Sequence, residues 1–361
     1  MIDTLKDRCD LLVRNRAAIL KKFTFQESLL GIASGLIFVM AEQEADVEKM
    51  AECRKLLKKS TRPLSNLRAK SELVMLSKMS LAAEPEKYLD DVLDVYKKVC
   101  RGILLENAYM ALAAMLIVDL GRQDDAESIV AKAGELTKRL ERVHPILTSD
   151  EDTSYVMLLA LTDRSVDDIV SDIDSGYGYL KKTKKLGADK NALFELCEVL
   201  AVSYGDMEGK CDKAVRIVRA LKARGADFGG GQEFSSLGAL VDLDMDADAV
   251  AEEILDAEAY LRAEKGWGDS SVDRKKRMMY ASLLLADVCG RDPASVADPV
   301  ISNPVLSNTI TLYKAKQMSL LMSIGGSLLQ AAFSIAGALC ESESDEKSDA
   351  DTAGSDTTTI P

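Results

Sequence analysis

Apolar side chains recur at intervals of three and four residues along almost the whole chain, and no stretch shows the sustained alternation typical of β-strands. Between Leu89 and Ile103, for example, the apolar positions share one helical stripe while the charged positions take the opposite side. Such a stripe packs one face of a helix and leaves the other face in water. The pattern therefore predicts an all-α fold.

A larger unit recurs within this pattern: an apolar helix, a short polar turn, and an amphipathic helix that begins with acidic residues. The turns are separated by 38 to 46 residues and lie at Gln43, Glu84, Arg122, Arg164, Asp206, Met245 and Arg291. One hairpin cannot bury its own apolar face, so neighbouring hairpins must pack together. We predict stacked antiparallel helical hairpins of about 40 residues, either as an α-solenoid or as a compact multi-helix domain.

Three segments follow from this organisation. Residues 1–316 are predicted to form the helical-hairpin domain, with 142–149 as the candidate point of subdivision. Residues 317–340 are predicted to form an apolar C-terminal helix. Residues 341–361 hold seven acidic side chains, one lysine and almost nothing apolar, so we expect a disordered acidic tail.

Positions 318–340 carry no charge over 23 residues, which is long enough for a helix to span a bilayer. Gln330, four serines and three glycines lower the hydrophobicity of this stretch. We therefore expect a helix packed on the hairpins, and a membrane-tethered adaptor held by 318–340 is the alternative.

Charge restricts the partners of the chain. Its 361 residues include 59 acidic and 46 basic side chains, and the tail contributes −6 of the formal net charge of −13. Phosphate backbones and anionic lipids are repelled by such a protein, so we expect no nucleic-acid partner and do not favour a membrane. Seven dispersed cysteines without a C-x-x-C pair, and a start without an apolar signal segment, predict a cytoplasmic location.

Two acidic patterns resemble metal sites. Asp90, Asp91 and Asp94 have the D-D-x-x-D spacing that holds magnesium-bound diphosphate in some all-α enzymes, but no second helix repeats that spacing. Between Asp242 and Glu253, five carboxylates fall at positions 1, 3, 5, 7 and 12 of a calcium loop, although its sixth position lacks glycine. We favour solvated or capping roles for both sets, with Asp246 or Asp248 as the helix N-cap.

The remaining candidates for chemistry are weaker. His144 is the only histidine, which excludes two-histidine metal sites, and it precedes a proline, so we expect a satisfied or solvated loop residue. Trp267 lies in a glycine-rich loop, where we favour packing over a partner anchor. The basic runs 181–185 and 274–277 are predicted to be solvated helix ends or faces. No catalytic, cofactor-binding or metal-binding residue and no cofactor is assigned.

The stretch HPILTSDEDTSYVMLLALTDRS combines Pro145 and a Leu-Thr-Ser run before an acidic turn, an apolar run at 158–161, and a second turn at Asp163. In this arrangement, which continues through LGALVDL, the chain resembles a bacterial family known as domain of unknown function number four thousand and three (DUF4003). The resemblance implies a cytoplasmic helical protein and carries over no catalytic residue.

These observations predict a non-catalytic binding or scaffold module with a protein partner, because arrays of hairpins offer extended surfaces. The alternatives are a helical enzyme that acts on a diphosphate through magnesium, and the membrane-tethered adaptor.

Overall fold

The computed structural model describes residues 1–290, apart from 25–27, 64, 69–70, 102–107, 146, 148–152, 184–185 and 203–204. The described part contains thirteen α-helices, two 3-10 helices and no β-strand, which confirms the all-α class. No helix in this part is long and apolar enough to cross a membrane. The segments predicted at 317–340 and 341–361 lie outside the described residues, and the predicted domain boundaries stay predictions.

The helices form an inner and an outer set that alternate along the chain. The inner set is α2 (Ser28–Met40), α4 (Glu72–Leu81), α6 (Ala108–Asp119), α8 (Thr153–Ala160), α10 (Lys190–Leu200), the 3-10 helix Gln232–Ala239 and α13 (Arg274–Cys289). The outer set is α1 (Asp3–Lys22), α3 (Val47–Ser60), α5 (Pro85–Val99), α7 (Ala126–Val143), α9 (Val166–Lys182), α11 (Met207–Ala223) and α12 (Ala247–Ala263). A 3-10 turn, Gln123–Asp125, leads into α7.

The inner and outer helices differ in their apolar content. All residues from Ala108 to Ile117 of α6 are buried, because nearly every position in that helix is apolar. In α5 only one stripe is buried, which includes Leu89, Val92 and Tyr96, while the acidic and basic positions between them meet solvent. Each predicted hairpin corresponds to an inner helix followed along the chain by an outer helix. Most of the closest contacts, however, join an outer helix to the inner helix that follows it, as in α1 with α2, α5 with α6 and α12 with α13.

In the described part of the chain the outer helices form a closed ring. Each outer helix packs on the next one along the chain, and α1 packs on α12 and α13 as well as on α2 and α3. The first helix of the chain therefore fills the outer position beside the last inner helix. The sequence left an open solenoid and a compact domain as alternatives, and these contacts establish a compact arrangement.

Polar contacts join the first helix to the last outer helix. The Tyr260 hydroxyl donates to Oδ1 of Asp10 at 2.5 Å, and this hydrogen bond raises the pKa of Tyr260 to about 12. The backbone N–H of Ile2 donates to Glu253 at 2.8 Å. Arg16, near the end of α1, donates to the backbone carbonyl of Gly266 at 2.8 Å.

Polar turns set the repeat, as the sequence predicted. From α3 onward, successive outer helices begin 38 to 41 residues apart. Four of them start at an N-cap side chain that accepts a backbone N–H of the first turn: Asp46, Ser165, Asp206 and Asp246. Such a cap satisfies one free N–H and typically stabilises a helix by about 1 kcal/mol.

Lysines on every second outer helix donate hydrogen bonds to backbone carbonyls at the ends of inner segments. Nζ of Lys49 donates to the carbonyl of Ala82 at 3.2 Å, and Nζ of Lys132 donates to the carbonyl of Thr162 at 2.6 Å. Lys213 donates in the same way to the carbonyl after the 3-10 helix. The three lysines are 83 and 81 residues apart, so they repeat every two hairpins and satisfy carbonyls that the preceding helices leave free.

Candidate functional site

The aspartates of the D-D-x-x-D pattern lie on the outer helix α5. Asp90 and Asp94 are exposed and Asp91 is half-buried. Asp91 pairs with Lys87 and Asp94 pairs with Lys98, each at 3.1 Å. No group of three histidine, cysteine or acidic side chains within the described ranges could hold a metal ion. The structure therefore gives no support to the diphosphate enzyme.

The carboxylates between Asp242 and Glu253 point to different partners. Asp246 caps α12 by accepting the Ala249 N–H at 2.8 Å, which confirms the predicted N-cap. Asp248 pairs with Arg224 at 2.6 Å, and Glu253 accepts the Ile2 N–H. These contacts spread the side chains around the start of a helix, so they do not form a calcium loop.

His144 lies at a junction of three helices. It ends α7, its side chain is only 11% exposed, and its Nε2 lies 3.2 Å from Oδ1 of Asp174 on α9. The imidazole meets the rings of Tyr177 and Phe194 edge to face, with centroids 5.3 and 5.1 Å away. The histidine, predicted as a satisfied or solvated loop residue, thus lies largely buried among aromatic rings at the end of α7.

Trp267 is fully buried, which confirms the packing role. Its ring stands edge to face with Tyr280 at 6.3 Å, and the Arg16 guanidinium lies 4.9 Å from its centroid. The prediction for the basic run 274–277 is wrong at Arg277, which is fully buried.

Arg277 holds a buried ionic cluster between α12 and α13. Its guanidinium bonds Glu258 at 2.6 Å and Asp269 at 2.7 Å, and it donates to the carbonyl of Trp267 at 3.0 Å. The hydrogen bond from Arg277 lowers the pKa of Asp269. A buried guanidinium needs such partners because desolvation of an unpaired charge is very unfavourable.

Polar side chains also reach the interior of the ring, which sequence reasoning missed. The Tyr155 hydroxyl lies 3.0 Å from the Ser235 hydroxyl, although α10 separates α8 from the 3-10 helix along the inner set. The bond therefore joins two buried residues of inner segments that are not consecutive along the chain. Glu198 of α10 is itself fully buried. The helical periodicity of apolar residues does not indicate such buried polar side chains, since each is a single polar position in an apolar helix.

A cavity that opens to solvent lies on the outside of the ring, between α9 and α11. This groove has a volume of about 390 Å³, and it is lined by Asp174, Ser175, Gly178, Tyr179, Lys182, Thr183 and Glu208. A Cβ atom on Gly178 would meet no atom within 4 Å, so the glycine leaves open space in the wall. We refer to this cavity as the α9–α11 groove.

Two glycines of α9 build the groove. Gly176 faces inward, where a Cβ would lie 3.0 Å from Cγ of Met207 and 3.3 Å from Sγ of Cys197. Its lack of a side chain lets α11 approach closely. Gly178 is two residues further on, which turns it about 200° around the helix and away from that contact. The segment GYGY could have indicated this difference.

The electrostatics of the groove favour cations. The Asp174 side chain is 59% exposed, and the Glu208 carboxylate is exposed without an ionic partner in the described part of the chain. The Tyr179 hydroxyl donates to Asp212 at 2.5 Å, and this bond raises the pKa of Tyr179. Lys182 is the one cation in the lining, against two carboxylates and the neighbouring Asp212.

Beneath the groove, sulfur atoms fill the contact between α10 and α11. Cys197 and Cys211 are fully buried free thiols. A hydrogen bond between the two thiols, together with burial, raises the pKa of Cys197. Protonated buried thiols are poor nucleophiles, so this layer acts in packing.

Comparison with known proteins gives one match. The family model described as "Protein of unknown function (DUF4003)" matches residues 15–316. No curated protein and no solved structure matches the chain.

Proposed function

The chain belongs to the DUF4003 family of proteins of unknown function, and from the geometry of the α9–α11 groove we propose that it is a cytoplasmic, non-catalytic binding module for a protein partner. The groove carries the proposal, because it is a concave surface on an otherwise helical exterior. Dispersed free thiols support the cytoplasm, where cysteines stay reduced.

The groove suits a side chain rather than a small metabolite. Its volume of about 390 Å³ is at the lower end of ligand sites, and it opens to solvent along two parallel outer helices. Gly178 provides space for an anchor residue of the partner, and Tyr179 provides an aromatic wall.

Charge indicates the type of anchor. Asp174 and Glu208 lie on either side of the groove, on α9 and α11, and the whole chain carries −13. A lysine or arginine of the partner would be attracted over a distance and would then meet exposed carboxylates. We therefore propose a partner segment that carries a basic anchor.

Site-specific crosslinking tests the proposal. The photoreactive p-benzoylphenylalanine replaces Gly178 in the groove or, as a control, Gly134 on α7, where a Cβ also meets nothing within 4 Å. We expect one protein to crosslink from position 178 and not from position 134. Equal patterns at both positions would contradict a docking role for the groove.

A filling substitution adds a quantitative test with the protein that crosslinking identifies. Gly178→Leu should weaken its binding about tenfold or more, as expected when an anchor pocket is blocked, while Gly134→Leu should leave the affinity unchanged. Glu208→Gln should weaken binding at low salt and have little effect at high salt.

A further inference from the structure

Side-chain contacts join neighbouring outer helices around the ring, with one exception in the described residues. Ion pairs link α1 to α3, α5 to α7, α7 to α9 and α11 to α12 through Lys22–Glu48, Arg101–Glu127, Arg139–Asp167 and Arg224–Asp248. Tyrosine–aspartate hydrogen bonds link α9 to α11 and α12 to α1. No ion pair joins the described side chains of α3 to those of α5, although Asn66, in the segment after α3, donates to the Tyr96 hydroxyl of α5 at 3.4 Å.

The end of α3 is strongly basic. Residues 53–70 contain seven basic side chains and no acidic one, in a chain with a net charge of −13. Lys55, Lys58, Lys59 and Arg62 are exposed and have no ionic partner in the described ranges. We call these four residues the α3 basic patch.

Like charges so close together repel each other, so the patch is held at an electrostatic cost that an anion would remove. Arg54, one turn earlier, shows what a partner does there: its guanidinium makes two bonds to Glu72, at 3.0 and 2.9 Å. The side chains of the α3 basic patch are likewise cations that can bond a carboxylate, but Glu72 does not pair with them.

We propose that the acidic tail of the same chain, residues 341–361, binds the α3 basic patch. The tail carries seven carboxylates and one lysine, which matches the local excess of positive charge. This inference is independent of the function proposed for the α9–α11 groove.

The chain is long enough for this contact. Fifty residues, 291–340, connect α13 to the tail. A random coil of fifty residues would span about 40 Å, and the predicted helix over 317–340 would by itself span about 36 Å, whereas the radius of gyration of a 290-residue domain is about 19 Å. Attachment to the same molecule also gives the tail an effective concentration in the millimolar range, which favours it over separate anions.

Carbodiimide crosslinking of the full-length chain tests the contact. The reagent joins a carboxylate to a nearby amine as an amide with loss of water, and peptide mass spectrometry identifies the pairs. We expect tail carboxylates to crosslink to Lys55, Lys58 and Lys59 in the monomer, and not to Lys97 or Lys138, which are equally exposed on other outer helices. Crosslinks spread evenly over all five lysines would overturn the proposal.

A binding measurement with matched charge changes separates the patch from general attraction. A fluorescent peptide of residues 341–361 should bind a chain ending at Cys340 about tenfold tighter than the full-length chain, because the attached tail competes. Lys55→Glu/Lys58→Glu/Lys59→Glu should abolish this binding, whereas Lys97→Glu/Lys138→Glu/Arg142→Glu should retain it. Equal loss in both triple variants, or tighter binding of an oligonucleotide than of the peptide at the patch, would refute the tail as its occupant.

Discussion

Two alanine substitutions in α9 should have opposite effects on stability although they are two residues apart. Alanine in a helix interior is more favourable than glycine by about 1 kcal/mol, so Gly178→Ala, which meets no atom within 4 Å, should stabilise the fold by about 0.5–1 kcal/mol. At Gly176 a steric clash opposes the same stabilisation by alanine. The new methyl group would lie only 3.0 and 3.1 Å from Cγ and Sδ of Met207.

Overpacking of a core costs about 1–3 kcal/mol, so Gly176→Ala should lower the free energy of unfolding by a net amount of about 1 kcal/mol. Met207 is itself buried and the methyl group would also lie 3.3 Å from Sγ of Cys197, so we place the cost in the middle of that range. The difference between the two variants is then about 2 kcal/mol, measured by urea denaturation at constant m value. A Gly176→Ala protein as stable as the Gly178→Ala protein would refute the close approach of α11 to α9.

Three further predictions concern the contacts that hold the ring. The pKa of Tyr260 is raised in the folded state, so its bond to Asp10 contributes stability below pH 10 that is lost as the pH rises to about 12; the difference in unfolding free energy between wild type and Tyr260→Phe should vanish over that range. Arg277→Met should destabilise the fold by about 3 kcal/mol because Glu258 stays buried and keeps only its longer contact with Arg274, at 3.6 Å, and adding Glu258→Leu should recover part of the loss in thermal unfolding. Asp46→Ala should cost about 1 kcal/mol by removing the cap of α3, whereas Asp46→Asn should cost little in the same measurement.

Local pattern was enough to predict the helices and their turns. The capping role of Asp246 could be predicted because an acidic residue before a helix start has a local use, the free N–H groups of the first turn. General preferences likewise placed Trp267 in a packing role, which its full burial confirms. These features depend on residues that are close in sequence or on the general cost of exposing an aromatic ring.

Features that depend on distant partners could not be predicted. The ring closes through pairs such as Tyr260 and Asp10, which are 250 residues apart, and no periodicity encodes that match. Arg277 reads as one of four basic residues in a row, and only Glu258 and Asp269 on neighbouring segments make its burial favourable. The groove likewise depends on which of two similar glycines faces α11.

Closure by α1 changes how this repeat protein can come apart. In a linear array an end unit has one neighbour and can detach while the others stay folded. Here α1 contacts α12 and α13 on one side and α2 and α3 on the other. Its release therefore breaks two interfaces in one step and leaves the remaining helices as an open array. We therefore expect fraying, the usual first stage of unfolding in repeat proteins, to be suppressed at α1, because its release requires both interfaces to break together.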